Sequence, residues 1–232
     1  YTTNLEMTPK NLYLFGHGDL SKIVTNIVSL NNNINLCGYI EVLDNSYNYY
    51  SSNHELSENF DITSLMTDDN FFCIAIGHNY TRNKIYDFIT KNFSTTNWLS
   101  IISDSADIKA DVSIGSGCII HDNVYINSGT SIGNHCIINN NSSIDHDCIW
   151  SDFSSCGPVV ITGGRVKIGS ISFIGMGSVI LQGVNVSNNT VVGAKSLVNK
   201  NCWSSFMLTE YGVVTSFNND NIVAAQSFSR LL

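Results

Sequence analysis

The sequence predicts two folds in series: an α/β N-terminal domain of Rossmann-like, nucleotide-binding type, followed by an all-β parallel β-helix. Two observations predict this. Up to about residue 100, short apolar runs alternate with helical periodicities around glycine turns. From about residue 104 a six-residue period sets in and holds nearly to residue 200.

In the first part, Asn11–Phe15 (NLYLF) is a short apolar strand, GHGDLS a glycine turn, and KIVTNIVSL a helix closed by the Asn-rich NNNIN. LCGYIEVL reads as a second strand, and residues 47–70 as a polar, aromatic, loop-rich excursion. FFCIAIG is then a buried strand. TRNKIYDFITKNF is a helix with Ile85, Phe88 and Ile89 expected on one face. Strand, glycine turn, helix, strand is the opening of a nucleotide-binding sheet.

In the second part, every sixth residue from Ile108 to Val198 gives sixteen positions, thirteen of them Ile or Val. Two residues before each of these from Val112 onward stands only Val, Ser, Thr or Cys. The residue after each aliphatic is rich in Gly, Asn, Asp and Ser, which tolerate a left-handed or turn conformation. Each hexad thus supplies one short strand and one corner, three hexads close a triangular coil, and roughly five coils stack about 4.8 Å apart. The aliphatics point inward, and the small residues pack the corners. Cys118, Cys136, Cys148 and Cys202 occupy the small corner slot and read as packing residues. The expected domains are 1–103, 104–202, and a C-terminal tail or cap over 203–232.

Charged residues make up only 13% of the chain and the net charge is −8. Without a Lys/Arg run to neutralise phosphates, nucleic acid is not an expected partner. No apolar stretch reaches the eighteen or so residues of a membrane span, and no charged start followed by an apolar core reads as a leader peptide. Seven cysteines with no CxxC pair suit a reducing compartment, so cytoplasm is the expected location.

Three inward positions break the rule: Trp150, Cys156 and Thr162. They directly follow "IDHD", in which Asp145, His146 and Asp147 lie on the turn after the inward Ile144. An exposed imidazole beside a carboxylate is suited to general-base work, because the carboxylate orients the ring and stabilises the imidazolium. The same residues also suit an ordinary surface turn. His54 falls in the polar excursion, and His17 and His78 on the glycine turns of the first domain. Left-handed β-helix carbonic anhydrases hold zinc on three histidines, which makes His121, His135 and His146 ligands to weigh. Their unequal phases in the hexad point them apart, and no metal is expected. In the glycine turn, Gly16, Gly18 and Ser21 fit a GxGxxG pattern ending in a small residue, with Glu41 some twenty residues on. A phosphate could meet the helix N–H groups there and an acid a ribose hydroxyl, with a tight turn without ligand as the alternative.

Three segments, IAIGHNYTRNKIY (74–86), SADIKADVSIG (105–115) and CIINNNSSIDHDCIWSDF (136–153), carry a resemblance. The chain resembles the nucleotide-sugar N-acetyltransferases of the hexapeptide-repeat superfamily, which have a left-handed β-helix. It is similar to the bacillosamine-pathway and other 4-amino-4,6-dideoxyhexose acetyltransferases, and related to sialic acid O-acetyltransferases. The resemblance implies a homotrimer that transfers acetyl from acetyl-CoA to the amino group of a UDP- or dTDP-linked sugar. It implies that Gly16, Gly18, Glu41, Gly77, Asn79 and Arg82 line the nucleotide-sugar pocket. Acetyl-CoA would then lie near Gly175, Gly177, Gly193 and Ala194. His146 matches the general base, Asp147 the acid beside it, and Asn139 an asparagine near the reacting groups.

The chain departs from the pattern at three places. Asp19 and Leu20 occupy the middle of the glycine turn, Ser155 stands where a second histidine is frequent, and the C-terminal segment lacks a GxPAK-type ending. Two alternatives remain open: a sugar or sialic acid O-acetyltransferase, and a trimeric binding or scaffold protein without turnover.

Overall fold

The computed structural model describes residues 9–43, 46–94 and 96–202, with the backbone of 206–209 and 212–216. The N-terminal domain comprises β1 (Lys10–Phe15), α1 (Asp19–Ser29), β2 (Ile34–Val42), β3 (Tyr47–Ser51), β4 (Leu56–Ser57), β5 (Asn70–Ile74), α2 (Asn79–Asn92) and β6 (Asn97–Trp98). Its sheet has the order β4-β3-β2-β1-β5-β6. β1 is parallel to β2 and β5, while β3 and β4 return antiparallel. The stretch read as a loop-rich excursion therefore supplies two strands. Tyr47, Tyr49 and Tyr50 favour extended backbone, and Tyr49 packs on Phe60 with ring centroids 4.9 Å apart.

Alternation along β1 builds two cores. Leu12 and Leu14 meet Val24, Ile27 and Val28 of α1 on one side. Phe15 meets Phe72, Ile74, Ile85 and Ile89 beneath α2 on the other. Phe88 does not join Ile85 and Ile89. It is 47% exposed and lies outward toward Tyr47, 6.3 Å away between ring centroids.

The repeats form a three-faced prism of parallel two-residue strands. The first face runs from Ile101–Ile102 to Val191–Val192, the second from Asp107–Ile108 to Leu197–Val198, and the third from Ser113–Ile114 to Asn185–Val186. Register repeats every eighteen residues, as in Ile126 against Ile144 and Ile132 against Trp150. Inward aliphatics and corner residues make one continuous core. Across most coil boundaries the residue after a strand donates its N–H to a carbonyl of the next coil, as Asn127 does to Ile144 (2.9 Å) and Gly133 to Trp150 (2.7 Å).

One expectation about the turns is corrected. The left-handed residue is the third after the inward aliphatic, as at Asn141, Asp147, Phe153 and Val159, with φ between 56° and 61°. The position directly after the aliphatic favours glycine because the next coil is close. A Cβ on Gly157 would lie 2.8 Å from Met176 N, and one on Gly163 would lie 2.8 Å from Gln182 N.

The N-terminal domain is fixed to the first face through the outward residues Ile101, Ile119 and Ile137, which share a core with Leu12 and Val24. The tail expected over 203–232 lies largely outside the described residues. The backbone of Phe206–Thr209 runs parallel to Val191–Val192, and Gly212–Ser216 pairs antiparallel to it.

Candidate active site

His146 sits on the prism edge between the second and third faces. Four contacts fix its turn. Asn127 Nδ2 donates to Asp145 Oδ1 (2.9 Å) and Thr130 Oγ1 to Asp145 O (2.7 Å). The His146 N–H also donates to Asp145 Oδ1 (2.8 Å), and Arg165 N, from the coil above, to His146 O (2.8 Å). The Asn127 amide first, then the His146 N–H, hold the Asp145 carboxyl below the usual carboxylate range.

The imidazole itself is held by Asp147. Its Nδ1 lies 2.8 Å from Asp147 Oδ2. A carboxylate only accepts, so the proton of the neutral ring is assigned to Nδ1, leaving the lone pair on Nε2. That ring lies over Gly164 of the next coil, where any Cβ would collide with Nε2. The side chain is 39% exposed, so the ring is reachable from solvent. Gly164 was not anticipated. The signal for it is its place eighteen residues after His146, in the same column of the coil. At Ser128, Asn140 and His146 the N–H at this turn position is taken by the preceding Asx side chain, as Asn140 N is by Asn139 Oδ1 (2.9 Å). Gly163 has no side chain to offer, and the Gly164 N–H donates no hydrogen bond among the described residues.

The other expected residues divide into three groups. Asn139, Gly175, Gly177, Gly193 and Ala194 follow strands of the first face, so they share the edge between the first and second faces. Within one chain they stand across the second face from His146. His121 begins a turn on their edge, and His135 lies on the remaining edge under α2. The three histidines thus occupy three edges, and no ion within one chain can bind all of them. Both His121 and His135 are buried. Burial lowers the His121 imidazole, and burial followed by the charge of Arg82 takes His135 down to about 4.

Gly16, Gly18, Glu41 and Gly77 gather at the carboxyl ends of β1, β2 and β5. Gly16 has φ 111°, and a Cβ there would lie 2.9 Å from Ala75 O, whereas Gly18 and Gly77 face open space. Gly18 begins α1 without a side-chain cap, which leaves helix N–H groups for an anion. Asp19 turns away to Lys22 (3.1 Å) and is almost fully exposed. Glu41 accepts from Tyr50 Oη (3.2 Å) and Asn48 Nδ2 (3.3 Å). Sequence reasoning missed the aromatic neighbours. His17 stacks on Tyr50 (4.0 Å), and its Nε2 is 2.9 Å from Nδ1 of His54, which stacks on Tyr39.

Asn79 and Arg82 are corrections, because neither lines that pocket. Both are fully buried between α2 and the prism. All donors of the Arg82 guanidinium are used: Nε on His135 O (2.8 Å), Nη1 on Ile76 O and Gly77 O (2.9 and 3.2 Å), Nη2 on Asn79 Oδ1 and Phe153 O (2.8 and 3.0 Å). Asn79 Nδ2 donates to Ser172 O (2.9 Å), while its Oδ1 also accepts from Ser155 Oγ (2.6 Å). These residues tie the two domains together. Ser155, standing where a second histidine is frequent, belongs to the same tie.

Residues 11–89 match the family model of the PglD N-terminal domain, and residues 111–146 that of the bacterial transferase hexapeptide (six repeats). Among solved structures, the chain is similar to GDP-perosamine N-acetyl transferase from Caulobacter crescentus, crystallised with CoA and GDP-perosamine. The identity is 21%, covering 90% of this chain and 97% of that one, with a TM-score of 0.79. It is also similar to the acetyltransferase domain of PglB from Neisseria gonorrhoeae, at 18% identity over 89% of this chain and 100% of that one, with a TM-score of 0.77. WeeI from Acinetobacter baumannii matches at 18% identity over 88% of this chain and 98% of that one, TM-score 0.58. What these structures share with the chain is its fold.

Proposed function

Because the chain joins a PglD-type N-terminal domain to transferase hexapeptide repeats, we propose that it is an acetyl-CoA-dependent N-acetyltransferase. Its acceptor is the 4-amino group of a nucleotide-linked 4-amino-4,6-dideoxy sugar. One observation carries this reading: Asp147 holds Nδ1 of His146, and Nε2 lies beside a glycine whose N–H, like Nε2, has no partner among the described residues.

The residues then divide the work. His146 Nε2 removes the proton from the amine as it attacks the acetyl carbon, and Asp147 stabilises the imidazolium that results. The imidazolium gives that proton to the sulfur as the C–S bond breaks and CoA leaves as the thiol. An amine is nucleophilic enough to need no covalent enzyme intermediate. The Gly164 N–H is the donor placed to meet the negative charge developing on the thioester oxygen. Much of the remaining acceleration comes from holding the two substrates together. The glycine turn, the uncapped start of α1, Glu41 and Gly77 receive the nucleotide sugar. Gly175, Gly177, Gly193 and Ala194 offer close backbone to acetyl-CoA, and Asn139 stands near the reacting groups.

The division of these residues between two edges supports a homotrimer. The second face lies between the Asn139 edge and the His146 edge. Along its upper part Ile161 and Leu197 are exposed, the latter at 63%, and Val159, Met176 and Leu181 are exposed on the edges that flank it. Three copies turning this face to a common axis bring the Asn139 edge of one copy against the His146 edge of the next. All seven cysteines are free, which supports a reducing, cytoplasmic location. No described helix is long and apolar enough to cross a membrane.

The test is release of free CoA thiol from acetyl-CoA with UDP-, dTDP- and GDP-linked 4-amino-4,6-dideoxy sugars, with free sialic acid alongside. The reading predicts release with one nucleotide amino sugar and none with sialic acid. Release with sialic acid alone would make the protein an O-acetyltransferase, and silence across the panel would make it a scaffold.

A further inference from the structure

The three inward positions that break the hexad rule coincide with a break in the hydrogen-bond ladder between coils. From Ser103 to Leu181 the residue after each described strand donates its N–H to a carbonyl of the coil above, with two exceptions among the described residues, Asn139 and Asp145. The Asp145 N–H also meets the Thr162 side chain, Oγ1 at 3.3 Å, while Ile144 and Thr162 stay paired in register. The Asn139 N–H lies against the Cys156 side chain rather than its carbonyl, and in this strand pair only Ile137 and Ser155 remain in register. The interrupted rung lies under the turn that carries Asn139, and the rung supplemented by the Thr162 hydroxyl lies under the turn that carries His146.

Packing accounts for part of this. Trp150 is an oversized inward residue, 1% exposed, and Cys156 and Thr162 begin the coil above it in the same core. Small residues there make room for the indole. Room alone does not select a hydroxyl, because valine has the shape of threonine and is common at this position of the repeat. The hydroxyl is buried, and it reaches the turn whose Asp145 carboxylate accepts the His146 N–H.

We propose that Thr162 is a positioning residue, whose hydroxyl accepts from the Asp145 N–H beside the strand ladder and sets the height of the Asp145–His146 turn against Gly164. This rests on the acetyltransferase reading for its effect on rate, though not for its effect on the turn. The test compares Thr162→Val and Thr162→Ser with the wild-type protein in kcat, KM, thermal midpoint and amide exchange at Asp145.

Thr162→Val is expected to melt within about 4 °C of wild type, to exchange the Asp145 amide about ten-fold faster, and to lose about ten-fold in kcat with both KM values unchanged. Thr162→Ser, which keeps the hydroxyl, is expected to restore both the rate and the protection. Unchanged exchange in Thr162→Val, or slower exchange through a re-formed ladder bond, overturns the proposal. So does wild-type kcat, or a loss that serine fails to restore. If the wild-type protein transfers no acetyl group, the functional reading fails while the exchange comparison still decides the role of Thr162.

Discussion

At the residue scale, the chemistry depends on which nitrogen of His146 is free. Asp147 decides this by accepting from Nδ1 at 2.8 Å, and it does so from a left-handed backbone conformation, φ 57°. Asp147→Asn keeps the shape and removes the charge that stabilises the imidazolium. Its kcat is expected to fall about ten- to a hundred-fold with little change in either KM, as steady-state kinetics would show. An unchanged kcat would leave Asp147 as an ordinary turn residue. The turn position of His146 and Asp147 was legible because hexad phase tells which residues leave the core, whereas Asn139 was named on the resemblance alone. The sequence did not reveal Gly164, since glycine is ordinary at turns and its significance lies in what a Cβ would strike. Arg82 was misjudged for a related reason. Its residue type suggests a phosphate ligand, yet its donors are consumed by carbonyls that arrive from both domains.

At the element scale, α2 and the edge beneath it form a junction that holds a buried cation and a buried neutral histidine. His135 stacks on Phe153 with ring centroids 5.0 Å apart and interplanar angle 5°. Trp98 and Tyr86 also pack on it, and neither ring nitrogen has a hydrogen-bond partner among the described residues. Arg82 opposes its protonation and Asp152 favours it, but burial dominates and holds it at about 4. The unfolded chain protonates near 6.5, so this contribution is complete above that pH. It declines as the pH falls toward 4, amounting to on the order of 3 kcal/mol. Urea midpoints measured at pH 7.5, 5.5 and 4.5 are expected to fall more steeply for wild type than for His135→Phe. Parallel trends would show that this histidine is not held neutral. None of this was readable in one dimension, because the junction joins residues 82, 135 and 153 through a contact between domains. The β-helix itself was readable, since a six-residue period leaves one arrangement for inward aliphatics and small corners.

At the scale of the whole molecule, the candidate residues lie on two edges of one chain, and the proposed trimer is what would join them. Ile161 lies at the middle of the apolar second face and is 46% exposed in the single chain. Ile161→Asp places a charge there, pointing outward from the coil core. It is expected to yield folded monomers by light scattering, with activity lost in proportion to dissociation, whereas a fully active monomer would place the whole site within one chain. The prism's architecture was legible from its repeat, but the pairing of its edges was not, because the repeat gives every edge the same grammar. The central claim is that His146 Nε2 is the base of acetyl transfer, and its most direct test is the turnover of His146→Ala as a folded trimer. The account predicts a fall in kcat of at least about a hundred-fold with the KM for acetyl-CoA little changed. Turnover near that of wild type would contradict it.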